Sequence, residues 1–446
     1  MKMTKTVDMG RDPVSKVLWS LAIPSVITMF AHTVFHIVDT MFIAWLGTVP
    51  LAGMSLMLPV IFVEYALMSG CTIGATTLIS RNLGMGRLHR GRYLANATLS
   101  LVFLLSLLPC ALLVPSVKTL FFSYMGASPE ALVHIDKYLF WQVWSFPVAA
   151  WTLVLDAVYR SQGNATVPMF ALLIGNLANI LLDPLLMFTF GMAIGGASLA
   201  TLIGRSLTLI YSVAKLRQYS QIKPKFNITR NTIPTWRSVI TIGLPLSLSQ
   251  ISFSVGAALL NRMLAKYGEA AISGWTLGNR IEDIAFLFVF GFNTALVPFV
   301  AYNLGRGAYD RVKEGFIFTA KWSFILMSAV GIVLYLFPYV FLAVFKPEAL
   351  TLAYSTASIR ASTTAYPVIA LTIVIGGLFQ GAGHTHYNLF TQVIRNILVR
   401  YPLAVLLNSI FGINGIWWCQ PVSSGFAFLV SLYFLKKLKP ELFGTG

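Results

Sequence analysis

Six acidic residues fall inside long apolar stretches: Asp39, Glu64, Asp156, Asp183, Glu282 and Asp283. A charge held in hydrocarbon costs several kcal/mol unless it is solvated or paired, so each is a candidate for handling an ion or a substrate. Depth separates them. Asp39 sits several residues from the outer end of the first apolar stretch, Asp183 lies at a similar depth in the fifth, and Thr201 comes near that level in the sixth. Asn176, Asn179 and Asp183 are spaced i, i+3, i+7 and share one helical face. Asn179, one turn from Asp183, offers a carbonyl oxygen. Two carboxylates, an amide and a hydroxyl at one depth suit a small hard cation. They equally suit a carboxylate pair that exchanges a proton, because crowded carboxylates in low dielectric resist being ionised together. The bland alternative is that Asp183-Pro184 caps a kink and Asp39 bonds a neighbouring helix.

The elements that must position these groups are membrane spans. Of 446 residues, 57% are hydrophobic and only 11% charged, with a mean hydropathy of +0.76. That composition indicates an all-α polytopic membrane protein. Twelve stretches long enough to cross about 30 Å of hydrocarbon are expected near 17–45, 51–79, 94–116, 136–159, 168–189, 194–214, 239–264, 271–300, 317–343, 355–379, 388–410 and 414–435.

The chain also repeats itself at an offset of 221 residues. Asn82-Leu83-Gly84-Met85-Gly86 returns as Asn303-Leu304-Gly305-Arg306-Gly307, Pro24 pairs with Pro245, and Gly47, Gly53 and Gly70 pair with Gly268, Gly274 and Gly291. The polar stretch 215–237 separates the halves. The expectation is a six-helix lobe over 1–214, a cytoplasmic linker over 215–237 and a second lobe over 238–446. A pseudo-two-fold axis along the membrane normal would relate the lobes.

Basic residues orient the chain. Lys2, Lys5, Arg11 and Lys16, then Arg81 to Arg92, Arg160, the group from Lys215 to Arg237 with Arg230 in it, Arg306 to Lys321 and Lys436 to Lys439 all fall on one side. The opposite loops hold Lys118, Lys137, Lys266 and Lys346. Both termini are therefore expected in the cytoplasm, with the chain in the cytoplasmic (inner) membrane. The net charge of +17 is then a matter of topology, and nucleic-acid binding is not expected. No cleavable leader is expected. Cys71, Cys110 and Cys419 have no metal or disulfide spacing, and the absence of a Walker-type loop argues against direct use of ATP.

Ala22-Ile23-Pro24 with Asp39-Thr40-Met41-Phe42-Ile43-Ala44-Trp45-Leu46-Gly47 resembles the first-helix signature of the multidrug and toxic compound extrusion (MATE) transporters. So do Gly70 to Gly86 and Tyr159-Arg160-Ser161-Gln162-Gly163-Asn164. The clearest match is Asn179-Ile180-Leu181-Leu182-Asp183-Pro184 continuing to Gly195-Gly196-Ala197-Ser198-Leu199-Ala200-Thr201. The resemblance covers nearly the whole chain. It implies antiport of drugs and organic cations against H+ or Na+ across the cytoplasmic membrane, by two lobes bordering a cleft. Beside it, no cofactor is expected, membrane lipids are expected around the chain, and a monomer is expected as the working unit, although the sequence itself leaves oligomeric state open. Asp39, Asn179, Asp183 and Thr201 match the amino-terminal-lobe cation site of the prokaryotic DinF-like branch, and would be the metal ligands if the ion is Na+. The seventh span carries no acid, and Leu260 stands opposite Asp39 in the repeat, so coupling is expected in the first lobe alone.

Weaker signals are candidate substrate-cavity residues: Asn176, Glu64, Arg280, Glu282, Asp283 and His36. Arg280 is long enough to curl back onto Glu282, so self-neutralised pairing and cavity lining both stand. His36, with His32 on one face, is either a proton relay or a packing histidine. Asp156 reads as a helix-surface partner of Arg160. Two other functions stand beside antiport. A flippase for lipid-linked oligosaccharide or another lipid-like substrate would use Arg205, Arg262, Arg280, Arg360, Arg395 and Arg400. An enzyme would need a nucleophile and base, and His384-Thr385-His386, with no acidic neighbour in sequence, reads better as a turn.

Overall fold

The computed structural model describes residues 6–229 and 232–444, and no strand occurs among them. Lys2, Lys5 and Arg230 lie outside the described residues. Eleven helices among the described residues are long and apolar enough to cross a membrane. A further pair, Ala349–Thr363 and Tyr366–Ala382, is bent by 57°. Counted as one span, the tenth in chain order, it brings the total to twelve and is broken rather than continuous over 355–379. Thr364 and Ala365 form the turn between the two pieces, and Pro367 enters at the first turn of the second piece, where its missing N–H costs no helical bond. The third span likewise ends early. Its α-helix stops at Ser106, a 3-10 turn Leu108–Leu113 carries Pro109, and a separate helix Pro115–Tyr124 follows.

The duplication is written in the backbone as well as in residue types. Left-handed φ values occur at Gly47 and Gly268, Gly86 and Gly307, Gly126 and Lys346, Gly163 and Gly383, and Gly191 and Gly412. Each pair is 220 or 221 positions apart. The helices Thr48–Gly84 and Glu269–Gly305 are both 37 residues long, and each is entered through a glycine with extended ψ, 177° at Gly47 and 176° at Gly268. That combination of positive φ and extended ψ is essentially reserved for glycine.

Contacts group the chain into two compact units: Met1–Arg11 with Ile23–Leu244, and Asp12–Ala22 with Pro245–Gly446. Two of the three boundaries fall beside the paired prolines Pro24 and Pro245. In the first unit, Phe122, Met57, Ile43 and Ile135 form a buried core, while Trp236 Nε1 donates to the Ala97 carbonyl at 2.9 Å. In the second, Phe286, Tyr366, Ile359 and Met327 pack together. Trp19, from the short segment Asp12–Ala22, meets Phe292, Phe318 and Trp322 edge-on.

Candidate functional site

Within the first unit, three spans converge on the acidic cluster. The fifth and sixth (Thr166–Thr189 and Ile194–Tyr219) approach closely because glycines face each other. A Cβ on Gly204 would lie 2.6 Å from the Gly175 carbonyl oxygen and 3.2 Å from Asn179 Cβ. The tight crossing brings Asn179 to Thr201, and Asn179 Nδ2 donates to Thr201 Oγ1 at 3.3 Å. Asn176, one turn earlier, donates Nδ2 to the Ala31 carbonyl at 3.2 Å, tying the fifth span to the first two turns below Asp39. Pro184 then closes the α-helix, and a π-turn runs over Leu185–Thr189.

Asp39, Asn179, Asp183 and Thr201 are all buried, Asp183 completely so. Asp39 and Asp183 are close enough for their charges to act on each other. Tyr138 feels both. Asp39 Oδ1, both carboxyl oxygens of Asp183 and Asn179 Oδ1 are buried with no hydrogen-bond partner among the described residues. Buried acceptors are almost always satisfied in proteins. Asp39, Asn179 and Asp183 thus hold four such unsatisfied oxygens among the described residues. No group of three or more His, Cys, Asp or Glu that could hold a metal ion occurs among the described residues. Any ion held here would therefore rely on two carboxylates supplemented by neutral oxygens.

Two further groups lie nearby: Arg205, named from the sequence only among the arginines a flippase would use, and the expected pair His32 and His36. Arg205, on the same helix as Thr201, lies within electrostatic reach of Asp39 and Tyr138. Its Nη1 donates to Ser145 Oγ at 2.8 Å and its guanidinium lies 5.9 Å from the Phe146 ring centroid. Arg205 and Thr201 are spaced i, i+4, a signal that could have placed it beside the cluster. His32 and His36 have ring centroids 4.4 Å apart, and the Arg205 charge reaches His36.

The other candidates sit elsewhere. Glu64 is buried with an unpartnered Oε1. Asp156 pairs with Arg160 at 2.7 Å, but Arg160 is buried and its Nη1 also reaches Ser25 Oγ at 2.5 Å, so the pair belongs to the interior of its unit rather than to a helix surface. In the second unit, Glu282 accepts from Gln420 Nε2 at 3.1 Å, and Gln420 Oε1 accepts from Arg400 Nη2 at 2.7 Å. Arg280 instead faces Asp283. The curl-back pairing of Arg280 with Glu282 gives way to a bridge from the twelfth span. Leu260 is buried in an apolar cluster. His384 does have an acidic neighbour, Glu441 at 2.9 Å, which sequence distance had hidden.

The MatE family profile matches residues 24–185 and again 245–406, one copy in each half. The chain belongs to the MatE family. Among curated relatives of this MatE protein, the "FAD transporter" of Shewanella oneidensis is 25% identical over 96% of this chain and 95% of its own length. The "Multidrug export protein MepA" of Staphylococcus aureus is 22% identical over 97% and 96%. Among solved structures, a MATE protein in a bent conformation superposes with TM-score 0.90 at 23% identity, covering 99% of each chain. An outward-facing multidrug resistance MATE transporter gives 0.87 at 25% identity over 98% of this chain and all of that one. The MatE chain is a multi-pass membrane transporter with the two-lobe fold, and not an enzyme.

Proposed function

We propose that this MatE protein is a secondary antiporter of the cytoplasmic membrane, with both termini cytoplasmic, acting as a monomer. It exports amphipathic, often cationic, compounds in exchange for inward H+ or Na+. Asp39, Asn179, Asp183 and Thr201 form the exchangeable cation site, and 1–214 and 238–446 are the working lobes joined by 215–237. The observation that carries this reading is the set of four orphaned buried oxygens on Asp39, Asn179 and Asp183. Left unpaired, each costs roughly 1–3 kcal/mol, and a proton or cation relieves that cost. One cation moving inward supplies about 2.3 kcal/mol per 100 mV, enough for roughly a fifty-fold outward gradient of a neutral solute. Cation and drug then favour different states of the transporter.

A second reading, an anionic flavin-type cargo, is favoured by the 25% identity to a protein named as an FAD transporter. Proteoliposomes under separately imposed pH and Na+ gradients, loaded with a fluorescent organic cation or with FAD, test both. Cation efflux driven by either gradient supports the first reading and gradient-driven FAD movement alone supports the second. Movement of neither under either gradient contradicts the antiport account.

A further inference from the structure

The second unit contains a partly open cavity of about 10 Å³, room for about one water-sized particle or small ion. Its polar wall consists of Arg400, Trp417, Gln420, Ser358 and Ser362, and the rest is apolar. Two N–H donors on that wall, Arg400 Nε and Trp417 Nε1, are buried with no acceptor among the described residues. Trp417 is only 4% exposed. The one amide carbonyl on the wall that could have served them, Gln420 Oε1, already accepts from Arg400 Nη2, and Gln420 Nε2 is committed to Glu282. Ser362 also bonds Glu282. The buried Ser358 hydroxyl adds a further donor.

Charge points the same way. Arg395 lies in the field of both Arg400 and Glu282, while Arg280 stands against Asp283. Arg400 is the one charged residue among those lining the cavity. The backbone produces this juxtaposition. A π-turn occupies Ile394–Val399. In an α-helix, residues five apart diverge by about 140°, whereas the i to i+5 repeat of a π-turn brings them back toward one side. Arg395 and Arg400 are five apart.

The geometry points to a binding site for a small monovalent anion of the chloride class, held by Arg400 Nε, Trp417 Nε1 and the Ser358 hydroxyl. The site is independent of the Asp39 cluster, and it stands whatever the transported cargo.

The test uses the full chain in nanodiscs, with chloride exchanged for gluconate at constant cation and ionic strength. The readouts are equilibrium binding of radioactive chloride and thermal melting. Wild type binds one chloride per chain saturably, with bromide competing and sulfate not. Trp417→Phe keeps the ring, melts as wild type in gluconate and binds at least tenfold more weakly, and Arg400→Gln abolishes binding. Absence of saturable binding in wild type means that water fills the cavity and overturns the proposal. Binding undiminished in Trp417→Phe, or equal competition by sulfate, overturns it as well.

Discussion

Asn179 donates its amide Nδ2 to Thr201 Oγ1 across 3.3 Å, and its carbonyl oxygen is left without a protein donor. The bond ties one N–H of the amide to the sixth span and leaves its oxygen on the side of Asp183, one turn away.

Asp39→Asn removes a buried carboxylate whose Oδ1 has no hydrogen-bond partner among the described residues. Coupled efflux in membrane vesicles is expected to fall to background. The melting temperature should be unchanged or raised, since an unpaired buried charge is a liability to the fold. Scanning fluorimetry beside the efflux assay checks both parts, and undiminished efflux would contradict the assignment.

Gly204→Ala places a Cβ 2.6 Å from the Gly175 carbonyl oxygen. Overpacking of this kind costs about 1–3 kcal/mol, and prying the two spans apart should weaken the Asn179–Thr201 bond and lower transport. Gly425→Ala, whose Cβ would meet nothing within 4 Å, is expected to leave both melting and transport at wild-type values.

Gly47→Ala and Gly268→Ala test the duplication at its backbone. Neither Cβ would meet a neighbour within 4 Å, so the penalty is conformational alone, about 1–3 kcal/mol. The two variants should lose comparable stability in thermal melts because their φ and ψ values match. A large difference between them would mean that the helix entries are not equivalent.

These glycines and prolines were readable because backbone geometry constrains residue type wherever it occurs, so a duplication leaves them in register. Asp39 and Asp183 were readable because an acid in an apolar run has few explanations. What could not be read depends on contacts between distant segments. Gln420 bridges Arg400 to Glu282 over 138 positions, and Glu441 reaches His384 over 57. Hydropathy averages over a span and does not register the bend before Pro367 or the π-turns at Leu185–Thr189 and Ile394–Val399. Nor did it show that Asp12–Ala22 groups with the second unit, since Trp19 reads like any other apolar residue until its aromatic neighbours Phe292 and Trp322 are in place.

Arg160→Leu should be costly, roughly 2–4 kcal/mol, because it strips Asp156 and Ser25 of a shared buried partner. Arg160→Lys keeps the charge but not the fork that reaches both, and an intermediate loss in thermal melts is expected. Equal melting of all three proteins would show that the pair contributes nothing.

The central claim is that Asp39 and Asp183 form one exchangeable cation site, and cation release on cargo binding tests it most directly. Purified protein in weakly buffered solution is mixed with a transported organic cation while proton release and displacement of bound radioactive sodium are followed. Wild type should release at least one cation per cargo bound, and the Asp39→Asn/Asp183→Asn double variant, still folded by its melting curve, should release none. Release of the same amount from the double variant would contradict the account.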